Sequence, residues 1–376
     1  MSKISNQLTE LVNQKKQLAT NLNVKGVSAD ESETLNTLVP KVLSIVGGGD
    51  VKLGYKQITE DGEYYAYDDG LDGYSSINVN VANGANSFIT FGELSGAIRY
   101  RNIKHIGNIP SYAYYGETQM KEIELINCES IESYALNNCE NLTNIINNKI
   151  IKSLGVYALN GCSALNDEIV LDDSIEEVPN YCFNNCSMIK LNLPKNLKIV
   201  GDRAFNNCRN IIATELPLGL AEVKSYGFYY CENVTAEICP VMIIGTYAFS
   251  YSGVKFNEIP RGCTLGIYAF LRCPNITNIK IDIAGSIPNY CFRYNTNMES
   301  IELGDAITTI NSYAFGNNTK LKTIICHSLT PPTIASNSFY AVSPNVIKVP
   351  ASVLETYKKA TNWTKWADIM EGIEGE

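Results

Sequence analysis

Between Ile109 and Phe339 an aliphatic residue, two variable positions and a Tyr-Ala-Phe-like triplet recur eleven times. The triplets begin at Tyr112, Tyr134, Tyr157, Tyr181, Arg203, Tyr226, Tyr247, Tyr268, Tyr290, Tyr313 and Asn337, a step of 21 to 24 residues. About eight residues after most triplet starts comes another aliphatic or Met: Met120, Leu142, Leu165, Ile189, Ile211, Val234, Ile276, Met298 and Leu321. Pairs such as Ile123/Leu125, Ile279/Ile281 and Ile301/Leu303 follow, with one residue between them. That alternation predicts a short strand with one face inward. One unit has too little apolar surface to bury alone, so each coil must stack on its neighbours. The predicted fold class is an α/β repeat solenoid of about eleven units. Phe183, Phe205, Phe228, Phe249, Phe270, Phe292 and Phe315 are expected to fill its interior.

The first fifty residues follow a different period. Ile4, Leu8, Leu11, Lys15, Leu18 and Leu22 alternate steps of four and three, a heptad seam with Lys15 at one inward position. A helix of that length is marginal alone in water, so residues 1–24 are expected to oligomerise, with a trimer preferred. An amphipathic helix docked on another surface is the plainer alternative. Ser28 and Glu31 form a capping box for a second helix, with an apolar stripe at Leu35, Leu38, Val39, Val42 and Ile45. Pro40 should bend it or end its first part. Gly47, Gly48 and Gly49 then stop the helix and leave a joint, which closes the segment 25–50. Residues 51–85 read as a small β unit of strand-like runs around a turn at Asp68, Asp69, Gly70, Asp72 and Gly73. That turn lacks the ligand spacing and closing glutamate of a calcium loop, and turn chemistry suffices. The solenoid is assigned to residues 86–350 and a closing helix to 351–376. In that last segment Leu354, Tyr357, Trp363, Trp366, Ile369 and Met370 can cover the final coil.

Composition removes several functions. Charged residues make up 18% and the formal net charge is -9, so nucleic acid, which demands a basic stripe, is not expected as a partner. No apolar run reaches a membrane span, and the N-terminus has no basic segment followed by an apolar one; neither membrane insertion nor a signal peptide is expected. Of the twelve cysteines, Cys139, Cys162, Cys186, Cys208, Cys231 and Cys273 sit five residues after a triplet start. Cys182 and Cys291 take the small slot inside the triplet. Recurrence at one solenoid position predicts a ladder of buried, reduced and inert thiols. Zinc would need close ligand pairs, and only Cys182/Cys186 come near, with His105 and His327 far off in sequence. No metal and no cofactor is expected. No nucleophile elbow, phosphate loop or HExxH motif is present, which predicts a protein that is not an enzyme. Paired carboxylates of a glycosidase remain open in any acidic chain.

A candidate binding face follows from two offsets in the repeat. Three and four residues after the triplet start lie Asn137/Asn138, Asn160/Gly161, Asn184/Asn185 and Asn206/Asn207; later units carry Tyr229/Tyr230, Tyr251, Arg272 and Arg293/Tyr294 there. Coils stack at roughly one strand spacing, ~5 Å, so these positions form a stripe. Tyr and Arg supply rigid contact area and bidentate hydrogen bonding. The plainer alternative is that they shield the coil edge or stack on each other. Asn141, Asn233, Asn275, Asn317 and Asn362 stand two residues before Thr, in the pattern of a glycan acceptor; as turn residues they are expected to carry no sugar.

IGTYAF, VPNYCFNNCSMI and LGIYAFLRCPNI follow IxxYAFxxCxxLxxI and resemble the BspA-like leucine-rich repeats of bacterial surface proteins and some phage proteins, over about residues 100–350. The ending LTPPTIASNSFY and IKVPASVLETYKKATNWTKWADIM resembles the closing segment of that family. LNTLVPKVLSI with ITEDGEYYAYDDGLDGYSSINVNV, within residues 1–85, is similar to leader segments of tail and baseplate-associated proteins of phages and prophages of Gram-positive bacteria. Together the resemblances imply a phage or prophage tail component of the virion. Its N-terminus would attach to tail or baseplate proteins, and its solenoid would contact a host cell-surface protein or glycan. The alternative is a bacterial surface adhesin or protein–protein interaction scaffold. Surface members of the family usually carry an export signal, from which this chain departs.

Overall fold

Alternating apolar residues make the strands, and the strands of successive repeats pair in parallel and in register. The computed structural model describes residues 103–375 apart from 119, 148–149, 167–168 and 187–190, and also the strands Leu53–Ile58, Gly62–Tyr64, Gly73–Val79 and Ile89–Phe91. The heptad residues Ile4 to Leu22, the second helix, the glycine joint and Asp68 to Asp72 lie outside the described residues.

Each coil contributes one strand to a first sheet and a shorter one to a second row just before the triplet. An unbroken apolar column in the first sheet runs Ile279, Ile301, Ile324, Ile347 and Met370, each paired to the next. In the second row Val178, Val200, Val223, Ile244 and Leu265 are aligned in the same way. Like residues therefore meet like along both columns. The strands Leu53–Ile58 and Gly73–Val79 also join the first sheet in parallel, next to Ile103–Ile106. Stacking thus begins ahead of the first triplet, and the molecule is a β-solenoid of about 12 turns.

The helical half of the expected α/β class is corrected. Among the described residues α-helix is confined to Leu354–Lys359. The path from triplet to strand is turn, because two of its residues take left-handed backbone: Tyr134 (φ 60°) and Asn138 (φ 60°) in one coil, Tyr247 (57°) and Tyr251 (58°) in another. Left-handed residues cannot propagate a right-handed helix. Alternate N–H groups of this segment bond instead to the next coil, as from Tyr134 to the Val156 carbonyl (3.0 Å), Leu136 to Ala158 (2.8 Å) and Asn138 to Asn160 (2.7 Å). The groups between them close local turns, as from Ala135 to Glu132 (3.2 Å) and Cys139 to Leu136 (3.3 Å). The third side of the coil is thereby satisfied without helix.

The interior is a set of ladders. Phe183, Phe205, Phe228, Phe249, Phe270, Phe292, Phe315 and Phe339 stack with centroids 5.1 to 5.6 Å apart, and the predicted seven are all buried. All twelve cysteines are free and buried. Those five residues after a triplet start donate their S–H to the triplet carbonyl of the preceding coil: Cys208 to Phe183 (2.8 Å), Cys231 to Phe205 (3.0 Å), Cys273 to Phe249 (3.0 Å). Asn318 occupies that slot near the C-terminal end and donates to Phe292 (3.0 Å).

The closing segment caps the stack, with less helix than expected. After the six-residue helix, 3-10 turns lead into a last strand, Met370–Ile373, which extends the first sheet. Trp366 meets the end of the Phe ladder edge-on at 5.4 Å from Phe339. Buried Trp363 donates its indole N–H to Pro332 (2.8 Å), and the Tyr357 hydroxyl donates to Ser328 (2.8 Å).

Two predictions follow from the ladders. Phe249→Ala leaves a void between two stacked rings and should lower stability by about 3–5 kcal/mol, read from the urea midpoint; an unchanged midpoint would refute the ladder as the source of stability. Burial pushes the Cys208 and Cys273 thiols up to about 12. Both are fully protonated in the folded chain at neutral pH, whereas an unfolded thiol ionises near ~8.5. Their stabilisation is therefore complete below the unfolded value and is lost as pH climbs toward 12, at about 1.4 kcal/mol per thiol per pH unit. Because all twelve thiols are buried, native protein should leave a thiol-specific disulfide reagent unreacted at pH 8, with all twelve reacting once unfolded.

Candidate binding face on the turn side

The left-handed backbone at the triplet start turns the first side chain of each triplet from Tyr112 to Tyr313 outward, where it meets its own counterparts. Tyr112, Tyr134, Tyr157 and Tyr181 stack at 4.4 to 4.8 Å, nearly parallel. Tyr226, Tyr247, Tyr268, Tyr290 and Tyr313 continue at 4.4 to 5.2 Å. Arg203 fills the one gap between them. Its guanidinium lies 5.4 Å from the Tyr181 ring and 4.3 Å from that of Tyr226, and it donates to the Tyr181 hydroxyl at 2.6 Å. A planar cation is the non-aromatic group that stacks on both sides, and each such contact contributes about 0.5–1 kcal/mol.

Three residues further on, Asn137, Asn160, Asn184 and Asn206 form a carboxamide ladder. Each donates to the oxygen of the preceding one at 2.6 Å. At the fourth offset Asn207 likewise donates to Asn185 at 3.0 Å. Both columns change at the coil of Tyr226. Tyr229 stands edge-on to Tyr226 (5.3 Å), Tyr230 (4.5 Å) and Tyr251 (5.7 Å). Tyr230 and Tyr251 stack at 4.3 Å. Arg272 lies over Tyr251 (5.6 Å) and Tyr294 (4.7 Å), while Arg293 lies over Tyr294 (4.6 Å) and Tyr313 (4.5 Å) and donates to Asn317 (3.0 Å).

All six ridge residues expected from the sequence, Tyr229, Tyr230, Tyr251, Arg272, Arg293 and Tyr294, are thus brought together. The structure adds Arg209, whose guanidinium lies 4.7 Å from the Tyr230 ring and which pairs with Glu232 at 3.3 Å. Sequence reasoning missed it because it sits two residues beyond the offsets followed. Burial and the neighbouring Tyr230 push the Tyr229 hydroxyl up to about 12, and burial with Tyr268 does the same for Tyr247. These hydroxyls therefore carry their protons at neutral pH. The alternative in which ridge side chains stack on one another is also realised, so the ring faces are occupied, leaving ring edges, hydroxyls and guanidinium N–H groups outward.

Other candidates have structural roles. His105 Nδ1 lies 2.9 Å from the Tyr114 hydroxyl and Nε2 is 3.0 Å from the Asn108 carbonyl; burial holds its pKa below the usual value. The Nδ2 groups of Asn141, Asn233, Asn275 and Asn362 donate to carbonyls of Thr118, Arg209, Gly253 and Ile334 in the coil before, at 2.7 to 3.0 Å. An open depression of about 950 Å³ along the first sheet is lined by Ile150, Val170, Ile212 and Leu218. Its Asp173 is paired with Lys195 (2.8 Å), and its Asp172 accepts from the Ser174 N–H (2.8 Å). Among the described residues no group of three or more His, Cys, Asp or Glu is placed to hold a metal ion.

A parallel solenoid with one aromatic, one thiol and one small-residue slot per coil defines a repeat-array protein whose outer turn carries the variable chemistry. The family model described as BspA type Leucine rich repeat region (6 copies) matches residues 97–211, 176–285 and 285–369, and the chain belongs to that family. No curated protein matches it. Similar solved structures include a leucine-rich repeat protein from Bacteroides ovatus ATCC 8483, 17% identical, covering 80% of this chain and 84% of that one with a TM-score of 0.43. A leucine rich cell surface protein from Faecalibacterium prausnitzii A2-165 is 16% identical, covers 85% and 91%, and scores 0.42. The pneumococcal vaccine antigen PcpA is 14% identical, covers 86% and 89%, and scores 0.34.

The Tyr ladder makes one position testable. Arg203→Ala should open a gap between Tyr181 and Tyr226 and lower stability by about 1–2 kcal/mol, two stacking contacts being lost, while Arg203→Tyr should restore most of it. Thermal melts followed by near-ultraviolet circular dichroism would report both.

Proposed function

We propose that this chain is a non-enzymatic recognition protein of the bacterial cell surface, an adhesin or interaction module that contacts its partner through the Tyr/Arg ridge. One observation carries the proposal. Four residues after the triplet start the backbone is left-handed in every coil from Tyr112 to Tyr313. The residues there are Gly116, Asn138, Gly161, Asn185, Asn207 and Asn317, except in four consecutive coils that place Tyr230, Tyr251, Arg272 and Tyr294 at φ 56° to 62°. Glycine and Asn enter this region readily, whereas other side chains lose roughly 1–2 kcal/mol there. Stacking returns about 0.5–1.5 kcal/mol per ring pair and about 0.5–1 kcal/mol per cation over a ring. The two effects are of the same size, so the large side chains give the fold little that Asn does not. Contact with a partner accounts for them.

A second reading rests on the resemblance of residues 1–85 to phage tail and baseplate leader segments. In it, the heptad at Ile4, Leu8, Leu11, Lys15, Leu18 and Leu22 assembles a trimer on the tail, and the solenoids point outward as virion receptor-binding elements. Several copies would then convert modest single-site contacts into firm attachment. Mass spectrometry of purified particles and of cell envelopes separates the two locations. Light scattering with and without residues 1–46 reads the oligomer.

The ridge itself is tested by Tyr230→Asn, Tyr251→Asn, Arg272→Asn and Tyr294→Asn combined, which gives these four coils the residue their neighbours already use. Melting should shift by only a few degrees while capture of target cells falls at least tenfold. Retained capture would remove the ridge from the function, as would a collapse of the melting temperature with the single Arg272→Asn change.

A further inference from the structure

The chain carries a formal net charge of -9, yet its ridge holds little acid: Glu232, in the coil of Tyr230, is paired with Arg209. In four consecutive coils the turn segments 245–254, 266–275, 288–297 and 311–320 contain no Asp or Glu, and they hold Arg272, Arg293 and Lys320. The carboxylates of the same coils lie elsewhere: Glu258 and Glu302 are in strands of the first sheet, with Asp282, Glu299 and Asp305 beside it. Asp282 and Asp305 are held there by Arg261. The acids of these coils therefore lie along the first sheet, while the charged side chains of the four turn segments are Arg272, Arg293 and Lys320. Neither Arg272 nor Arg293 has an ion pair among the described residues, and Arg272 is exposed.

The stacking geometry narrows the ligand further. Tyr230 and Tyr251 cover one another, and Arg272 and Arg293 lie against Tyr251, Tyr294 and Tyr313. A sugar ring or an apolar protein anchor would need an open ring face or a pocket, and the ridge presents neither. What it presents is a row of N–H and O–H donors repeated once per coil, at about 4.8 Å per step over four coils, roughly 14 Å. Guanidinium groups in such a row match carboxylate or phosphate oxygens.

We infer that the ridge binds a linear anionic envelope polymer, a polysaccharide or polyol chain carrying a carboxylate or phosphate in each repeat, laid along the solenoid axis. This rests on the ridge being the recognition face. The row of donors supplies charge-assisted hydrogen bonds to successive groups, and from Tyr251 onward the turn segments hold no carboxylate to repel them.

The test is surface plasmon resonance of the full chain over polygalacturonate, linear polyphosphate, poly-L-glutamate and neutral dextran. Binding is expected to polygalacturonate or polyphosphate, with the stronger of the two identifying carboxylate or phosphate as the group read, and none to dextran. It should weaken at least tenfold between 50 and 300 mM NaCl, as a screened contact must. Arg272→Ala with Arg293→Ala should weaken it tenfold or more. Lys280→Ala with Lys348→Ala, the same charge removed from the first sheet, should change it less than twofold. Tyr251→Phe with Tyr294→Phe, which keeps the stack and removes two donors, should weaken it several-fold without moving the melting temperature. Equal binding to dextran, equal loss in the lysine variant, strongest binding to poly-L-glutamate, or no binding to any polyanion would overturn the inference. If polyanions fail while cell capture still depends on the ridge, recognition stands and the anionic ligand falls. If the combined asparagine variant captures cells normally, the ridge and this inference fall together.

Discussion

The constraint on which the whole molecule depends is that every slot of a coil lies one strand spacing from its own copy above and below. At ~4.8 Å a side chain has room for a flat partner of its own kind, a small one, or a hydrogen-bonded one, and for little else. The chain answers with one kind of group per slot. Rings stack at Phe205, Phe228 and Phe249, thiols donate to carbonyls at Cys208 and Cys231, and carboxamides chain together at Asn160, Asn184 and Asn206. Glycine is required where two backbones meet most closely. A Cβ on Gly155 would lie 2.2 Å from the Ser133 nitrogen, and one on Gly253 would lie 2.1 Å from the Glu232 oxygen.

The same constraint explains why free cysteine is so frequent. The slot is too small for a second ring and faces a carbonyl of the neighbouring coil that would otherwise be weakly satisfied. A thiol fits the volume and supplies a modest donor. Asn295 and Asn318 show what a stronger donor requires in the same place. The Asn295 oxygen accepts from the Cys273 N–H at 2.7 Å and Asn318 bonds Phe292, but the Asn295 Nδ2 is left buried without a partner. An orphaned buried amide costs on the order of 1–3 kcal/mol, which thiols avoid.

Much of this was legible in the sequence because period is a one-dimensional signal. The triplet recurrence, the aliphatic pair after it and Cys139 to Cys273 at one offset specify stacking, core and thiol ladder directly. The ridge was legible for the same reason, since equal offsets become neighbours in any solenoid. What the sequence did not announce was local backbone conformation. Tyr at a triplet start does not advertise left-handed φ, so the turn that replaces the expected helix was invisible. Only the Gly and Asn at 116, 138, 161, 185 and 207 hinted at it. Arg203 in a Tyr column looked like an irregularity of the repeat until its stacking between Tyr181 and Tyr226 showed it to be an equivalent. The strands near residues 53–79 read as a separate unit because strand pairing partners, unlike periods, are not written in local pattern.

The inner and outer slots are also independent, and this is what lets such a fold carry recognition. Between the coil of Arg203 and that of Tyr247 the outward chemistry changes, from Asn206/Asn207 to Tyr229/Tyr230 and then Tyr251, with Ser250 buried behind it. Across the same coils the ring spacing inside hardly moves, 5.3 Å from Phe205 to Phe228 and 5.6 Å from Phe228 to Phe249. The valine and isoleucine column at Val200, Val223 and Ile244 keeps its register as well. Core terms therefore do not penalise a change of surface chemistry, provided that the new residue tolerates left-handed backbone or stacks well enough to offset it. Tyr and Arg meet that condition by stacking on each other, and in doing so they turn only their donor edges outward. The chemistry that lets large residues enter the turn is thus the chemistry that restricts what they can bind.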